Sequence, residues 1–225
     1  MLYVVIGTVS RGGLIALLVG VVVCLWNYGF AQRRRTALVV LGFVAFGLLG
    51  AASQPKYRER LTASIFAPST SATGEAASAS GSAQSRKRLF LRALDVTIHH
   101  PIFGIGPGNF LAYSGGQYDD WHVSHDTYTQ LSAEAGVPAF LFFVIAVGAA
   151  LRHLRQVQRR ESTSREVRLL AGALRASLFS YVASAAFADT AYLFYPYFLI
   201  VISGVLWQLQ IDGAKKERLH QPRKE

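Results

Sequence analysis

Apolar residues in this chain come in blocks rather than in short periodic runs, and a block near 20 residues long is what a helix needs to cross the hydrocarbon core of a bilayer. Candidate spans fall at about 2–26, 36–53, 136–151, 169–188 and 191–209. Hydrophobic residues make up 52% of the 225-residue chain, above the usual share of a soluble domain. The expected fold class is therefore an all-α membrane protein, a single domain over 1–225 with about five transmembrane helices. One long extracytoplasmic loop, 54–135, separates the second span from the third.

Charge sets the orientation. The formal net charge is +10, which can signal nucleic acid, but the basic residues flank the apolar blocks. Arg33, Arg34 and Arg35, the arginines between Arg152 and Arg168, and Lys215, Lys216, Arg218, Arg223 and Lys224 all fall on one side if the spans alternate. Lys and Arg concentrate on cytoplasmic flanks, so those turns face the cytoplasm, the 54–135 loop faces outward, and no nucleic-acid partner is implied. The lone Cys24 excludes an intrachain disulfide.

Within the loop, residues 67–85 (APSTSATGEAASASGSAQS) read as a flexible linker. The following RKRLFLRALDVTIHH carries apolar positions Leu89, Leu91, Leu94 and Ile98 beside basic residues, the pattern of an amphipathic helix lying on a membrane surface, and Pro101 ends it.

Four sites carry potential chemistry. Arg11 lies inside the first apolar block, where a charge costs about 2.5–3.5 kcal/mol and usually has a partner or lines a wet cavity; snorkelling to the surface is the alternative. Gly12 and Gly13 allow close approach to it. In HHPIFGIGPGNF (99–110), Gly104, Gly106 and Gly108 specify a tight turn; without a flanking strand and helix the pattern is a shaped loop before it is a phosphate cradle. In WHVSHDTYTQLSAEAGVPAF (121–140), His122 and His125 stand near Asp119, Asp120 and Asp126. A metal site is conceivable there, but a histidine general base fits better. Glu134, close to the third span, fits a cap or an arginine partner. Asp189, Tyr192, Tyr195 and Tyr197 read as interfacial anchors.

Together TVSRGGLIAL (8–17), SRKRLFLRALDVTIHHPIFGIGPGNF (85–110) and HVSHDTYTQLSAEAGVPAFLFF (122–143) resemble the O-antigen ligase and polymerase superfamily, in particular the C-terminal half of its fold. The resemblance implies a metal-independent membrane glycosyltransferase of the bacterial inner membrane, with no cofactor. Its donor is a glycan on polyprenyl diphosphate. Its acceptor is a lipid A core, a second glycan or a protein, and transfer occurs at the periplasmic face. By motif match Arg11 and Arg86, with Arg88 and Arg92 as neighbours, hold the diphosphate, and His125 activates the acceptor hydroxyl. His122, Asp126, Glu134, Gly106 and Gly108 support them. Two positions depart from the pattern: Asp126 replaces the Asn, Ser or Gln after the histidine, and Ala139 replaces a downstream glycine. Asp126 is expected to keep an acceptor beside His125.

The chain opens within an apolar segment, which leaves a second expectation: a truncated or accessory membrane subunit that binds the lipid-linked glycan without turnover. A transporter with Arg11 in its pathway would need more intramembrane polar groups than Asp189 near one boundary.

Overall fold

The structure is a computed structural model that describes residues 11–28, 42 and 75–220. Among them every regular element is a helix: α1 (Arg11–Tyr28), α2 (Glu75–His99), α3 (Phe110–Tyr118), α4 (Thr127–Arg159), α5 (Arg165–Ala185) and α6 (Phe194–His220).

α4 is the spine. It is broken at Gly136, whose φ of 86° and ψ of 167° lie outside helical space, and Pro138 two residues on withholds an amide from the ladder. The expected third span, 136–151, thus lies within a longer helix that starts nine residues earlier, at Thr127. Its continuous part, 137–159, rises roughly 34 Å at 1.5 Å per residue, enough for the hydrocarbon core. α4 and α6 (the latter over Phe194–Gly213) are both long and apolar enough to cross a membrane. Their outward faces stay apolar: Leu141, Phe142 and Ile145 on α4, Val201, Val205 and Leu209 on α6 are all exposed. Exposure of that kind marks a surface that meets membrane or another helix rather than water.

The remaining expected spans are covered unevenly. α5 carries most of 169–188 but also Arg175, whose Nη1 donates to Gln158 Oε1 at 3.2 Å. α1 includes the shorter apolar stretch Ile15–Trp26 and packs along α5. There Gly20 faces Ser180 so closely that a Cβ would strike the hydroxyl, the small-residue contact that lets membrane helices approach. The 36–53 segment lies outside the described residues apart from Gly42, as do 2–10 of the first span.

Packing divides into three groups. Leu131, Phe143, Val147, Tyr181, Ala185 and Ala191 join α4, α5 and the turn before α6. Ala150, Leu154, Val157, Ala171, Leu178 and Leu199 continue that interface toward the far end of α4. Leu89, Ala93, Val96, Phe110 and Ala133 seat α2 and α3 on the first turns of α4. α2 begins at Glu75, so residues 75–85, expected as linker, are helical. Their alanines favour that state. Its buried stripe also differs from expectation. Leu89, Ala93 and Val96 face the core, whereas Leu91, Leu94 and Ile98 point outward. Two apolar faces share one helix, one against protein and one exposed among the described residues.

Candidate functional site

The break in α4 organises the site. Because Pro138 has no N–H, the Glu134 carbonyl loses its helical donor, and the non-helical Gly136 disturbs the bonds beside it. The loop after α2 fills the gap. Ile105 N donates to Ala133 O at 3.0 Å, Gly106 N to Glu134 O at 2.8 Å, and Val137 N to Pro101 O at 2.8 Å. Glycine is required on both sides of this contact. A Cβ on Gly104 would collide with the Glu134 carbonyl, and one on Gly136 with the Ile102 carbonyl. Gly104 and Gly136 also have positive φ, which costs little only for glycine. The glycine loop is a docking element rather than an anion cradle: Gly106 spends its amide on α4.

The Glu134 side chain completes the joint. It is 2% exposed, and its two oxygens accept from Gly108 N at 3.0 Å and Phe110 N at 2.9 Å. Glu134 lies close enough to Tyr192 to help, after burial, to raise the pKa of its hydroxyl. Asn109, the cap residue of α3, makes no side-chain capping bond. Glu134 therefore supplies the acceptor that the amino end of α3 lacks, the capping branch of its expected role. Replacing Glu134 with Ala strands two amides, and a loss of roughly 2–3 kcal/mol is expected. The check is the unfolding temperature of the full chain in detergent, with Glu134→Gln falling between because one carbonyl oxygen still accepts.

α2 presents its arginines differently. Arg86 and Arg88 are exposed and have no hydrogen-bond or ion-pair partner among the described residues. Arg92 turns inward. Its Nη1 donates to Ser114 Oγ at 2.7 Å and to Asp120 Oδ2 at 3.1 Å, and the guanidinium lies 4.0 Å over the Tyr118 ring. On the other carboxylate oxygen, His122 Nδ1 lies 2.5 Å from Asp120 Oδ1. The His122 bond, and after it the bond and charge of Arg92, hold the Asp120 carboxyl below its usual value and outweigh its burial. The bridge Arg92–Asp120–His122 fastens the basic helix to the loop that carries His125. Ser114 and Tyr118 are not among the candidate site residues read from the sequence, and Asp120 enters there only as a neighbour of the two histidines. For Asp120 the signal was present as Asp-x-His; for the other two no pattern in one sequence points to them.

His125 is held in an unusual backbone conformation, φ 55°, uncommon for a non-glycine residue. Its flanks explain how it persists. On one side Ser124 Oγ donates to the Asp126 carbonyl at 3.1 Å. Asp126 starts α4: its Oδ1 accepts from Tyr128 N at 2.9 Å, and burial pushes its carboxyl up. Asp126 is thus engaged through Oδ1 as an amino-terminal cap. Next in the chain, Thr127 Oγ1 donates to Ala188 O at 2.6 Å and accepts from Thr190 N at 2.9 Å, tying the start of α4 to the turn before α6. His125 is partly buried, and its ring has no hydrogen-bond partner among the described residues. Arg11 is the first residue of α1; its side chain lies outside the described residues.

His122, Asp126, Glu134, Gly106, Gly108 and Arg92 are gathered at the amino-terminal end of α4. Arg88 and Arg86 stand roughly 6 and 9 Å farther along α2, by helix rise. The arrangement combines a solvent-facing guanidinium pair, an unengaged imidazole and an adjacent apolar surface formed by Leu91, Leu94, Ile98, Ile102 and Phe103. No three His, Cys, Asp or Glu side chains among the described residues converge to hold a metal ion. A family model described as O-antigen ligase matches residues 1–144. No curated protein and no solved structure shows a significant match to the chain.

Proposed function

The chain belongs to the O-antigen ligase family, and from that premise we propose that it transfers a glycan from polyprenyl diphosphate to a hydroxyl acceptor at the periplasmic face of the bacterial inner membrane. In this reading the protein crosses the membrane about five times, with the arginine-rich turns inside and the α2–α3 loop outside. The apolar stripe Leu91, Leu94 and Ile98 rests on the outer leaflet, where a polyprenyl tail would lie.

The chemistry follows from the groups present. The acceptor oxygen bonds to the anomeric carbon as the bond from that carbon to the diphosphate breaks. The diphosphate departs with the electron pair, and the acceptor proton passes to the neutral His125 imidazole. Arg86 and Arg88, together with Arg11, match the departing phosphate oxygens with fixed donors and stabilise the growing charge. Arg92 is spent on Asp120 and positions the others. The observation that carries this reading is that bridge: it brings a helix of basic residues and an unengaged histidine to one end of the spanning pair.

The test is donor binding by the full chain in membranes, with an undecaprenyl-diphosphate glycan as ligand. Arg86→Gln with Arg88→Gln should weaken donor binding about tenfold or more, the loss of one or two charge-assisted bonds. Thermal stability should not change, since both side chains are exposed. Unchanged donor affinity in the double variant would remove these arginines from the diphosphate site.

A further inference from the structure

The end of α4 farthest from His125 carries a feature that glycan transfer does not use. A groove of about 530 Å³ runs between α4 and α6, lined by Ile145, Gly148, Ala149, Arg152, His153, Gln156 and Trp207. We propose that it is a binding site for one anionic phospholipid of the cytoplasmic leaflet, with the phosphate on Arg152 and an acyl chain along Gly148 and Ile145. The proposal rests on α4 and α6 crossing the bilayer, and not on the transfer reaction.

Three observations support it. The first is depth. The Trp207 ring stacks on His153, centroids 4.2 Å apart and planes 10° from parallel, and its Nε1 donates to Gln156 Oε1 at 2.7 Å. An indole with one apolar face and a satisfied N–H is the residue of the membrane–water boundary. Trp207 thus marks headgroup level.

The second is charge. Arg152 is exposed at that level and has no hydrogen-bond or ion-pair partner among the described residues. It has the planar donor fork suited to a phosphate, and a basic groove between helices on the cytoplasmic side is where anionic headgroups are recognised.

The third is shape. Gly148 has open space where a Cβ would stand, and Ala149 beside it is equally small. Ile145, Gly148 and Arg152 follow one another at helical spacing, so the small residues form a furrow extending roughly 10 Å from the arginine toward the membrane centre. An apolar furrow leading to one unpaired cation matches a lipid, with a charged head and a chain. A free anion would not need the furrow, and a second protein copy would not need the arginine.

The experiment uses Trp207 as reporter. Trp26 and Trp121, the other two tryptophans, are replaced by Phe. The full chain is reconstituted in phosphatidylcholine vesicles with equal mole fractions of brominated phosphatidylglycerol or brominated phosphatidylcholine, at a pH above the histidine range. Brominated phosphatidylglycerol should quench Trp207 with an apparent preference of about fivefold, the gain one basic side chain gives toward an anionic lipid. Arg152→Gln should bring the two lipids to parity. Gly148→Leu, which fills the furrow and keeps the charge, should lower quenching by both. Excess inorganic phosphate should leave the preference intact.

Equal quenching of the parent protein by the two lipids would overturn the proposal, as would a preference that survives Arg152→Gln. Relief of the preference by inorganic phosphate would assign the site to a free anion instead. Quenching by neither lipid would mean that another copy of the chain, or no lipid at all, occupies the groove.

Discussion

His125→Asn is expected to lower glycan transfer by about a hundred- to ten-thousandfold, the usual contribution of a positioned general base, in a protein that still folds. Asparagine is the informative replacement. The backbone at position 125 has φ 55°, and Asn tolerates the left-handed region better than most residues. The loop between Ser124 and Thr127 is therefore expected to keep its conformation while the imidazole is lost. His125→Ala would combine backbone strain with chemical loss and could not separate them. The measurement is the rate of transfer from a polyprenyl-diphosphate glycan in membranes, beside the unfolding temperature of the same preparation. His122→Asn provides the contrast: His122 serves the Asp120 carboxylate, so its loss should loosen the loop more than it slows the chemistry. Transfer at the parent rate by the His125 variant would remove it as the base.

Gly136→Ala is expected to be the most destabilising single change, about 3–5 kcal/mol. A residue at φ 86° and ψ 167° sits in a region open essentially only to glycine. In addition, the new methyl would meet the Ile102 carbonyl, which cannot move without breaking the bond from Val137 N to Pro101 O. The variant should unfold at a markedly lower temperature in detergent, become protease-sensitive between Pro101 and Asn109, and lose transfer although no reacting group has changed. Gly148→Ala, farther along the same helix with nothing within 4 Å of its Cβ position, should be close to neutral. A Gly136→Ala protein with the parent unfolding temperature would show that the docked loop adds little to the fold.

What could be read in advance divides along physical lines. Apolar runs announce their solvent, so α4 and α6 could be expected from the sequence. Their ends could not. Gly136 and Pro138 look like the start of a span, yet the helix exists on both sides because the glycine loop replaces the missing backbone bonds. α2 shows a second limit. Hydrophobicity alone cannot separate a side chain packed on protein from one left exposed, so Leu91, Leu94 and Ile98 read together with Leu89, while the core stripe includes the small Ala93. Among the candidate site residues, Glu134 was legible because a lone carboxylate beside an apolar run must find donors. Asp126 reads in the sequence only as an acceptor beside His125, and its use as the cap that starts α4 comes from the structure. Arg92 is indistinguishable from Arg86 and Arg88 in composition; only its register on α2, facing Ser114 and Asp120, separates it from them.

Backbone bonds straddle the break in α4: the incoming loop donates to Ala133 and Glu134 on one side and accepts from Val137 on the other. A kink clasped from both sides acts as a weld rather than a hinge. A helix of this length that meets bilayers of different thickness adjusts by leaning, and α4 would carry the docked loop with it as a rigid bracket. Within the joint itself the spacing between the glycine loop and the first turns of α4 then stays fixed.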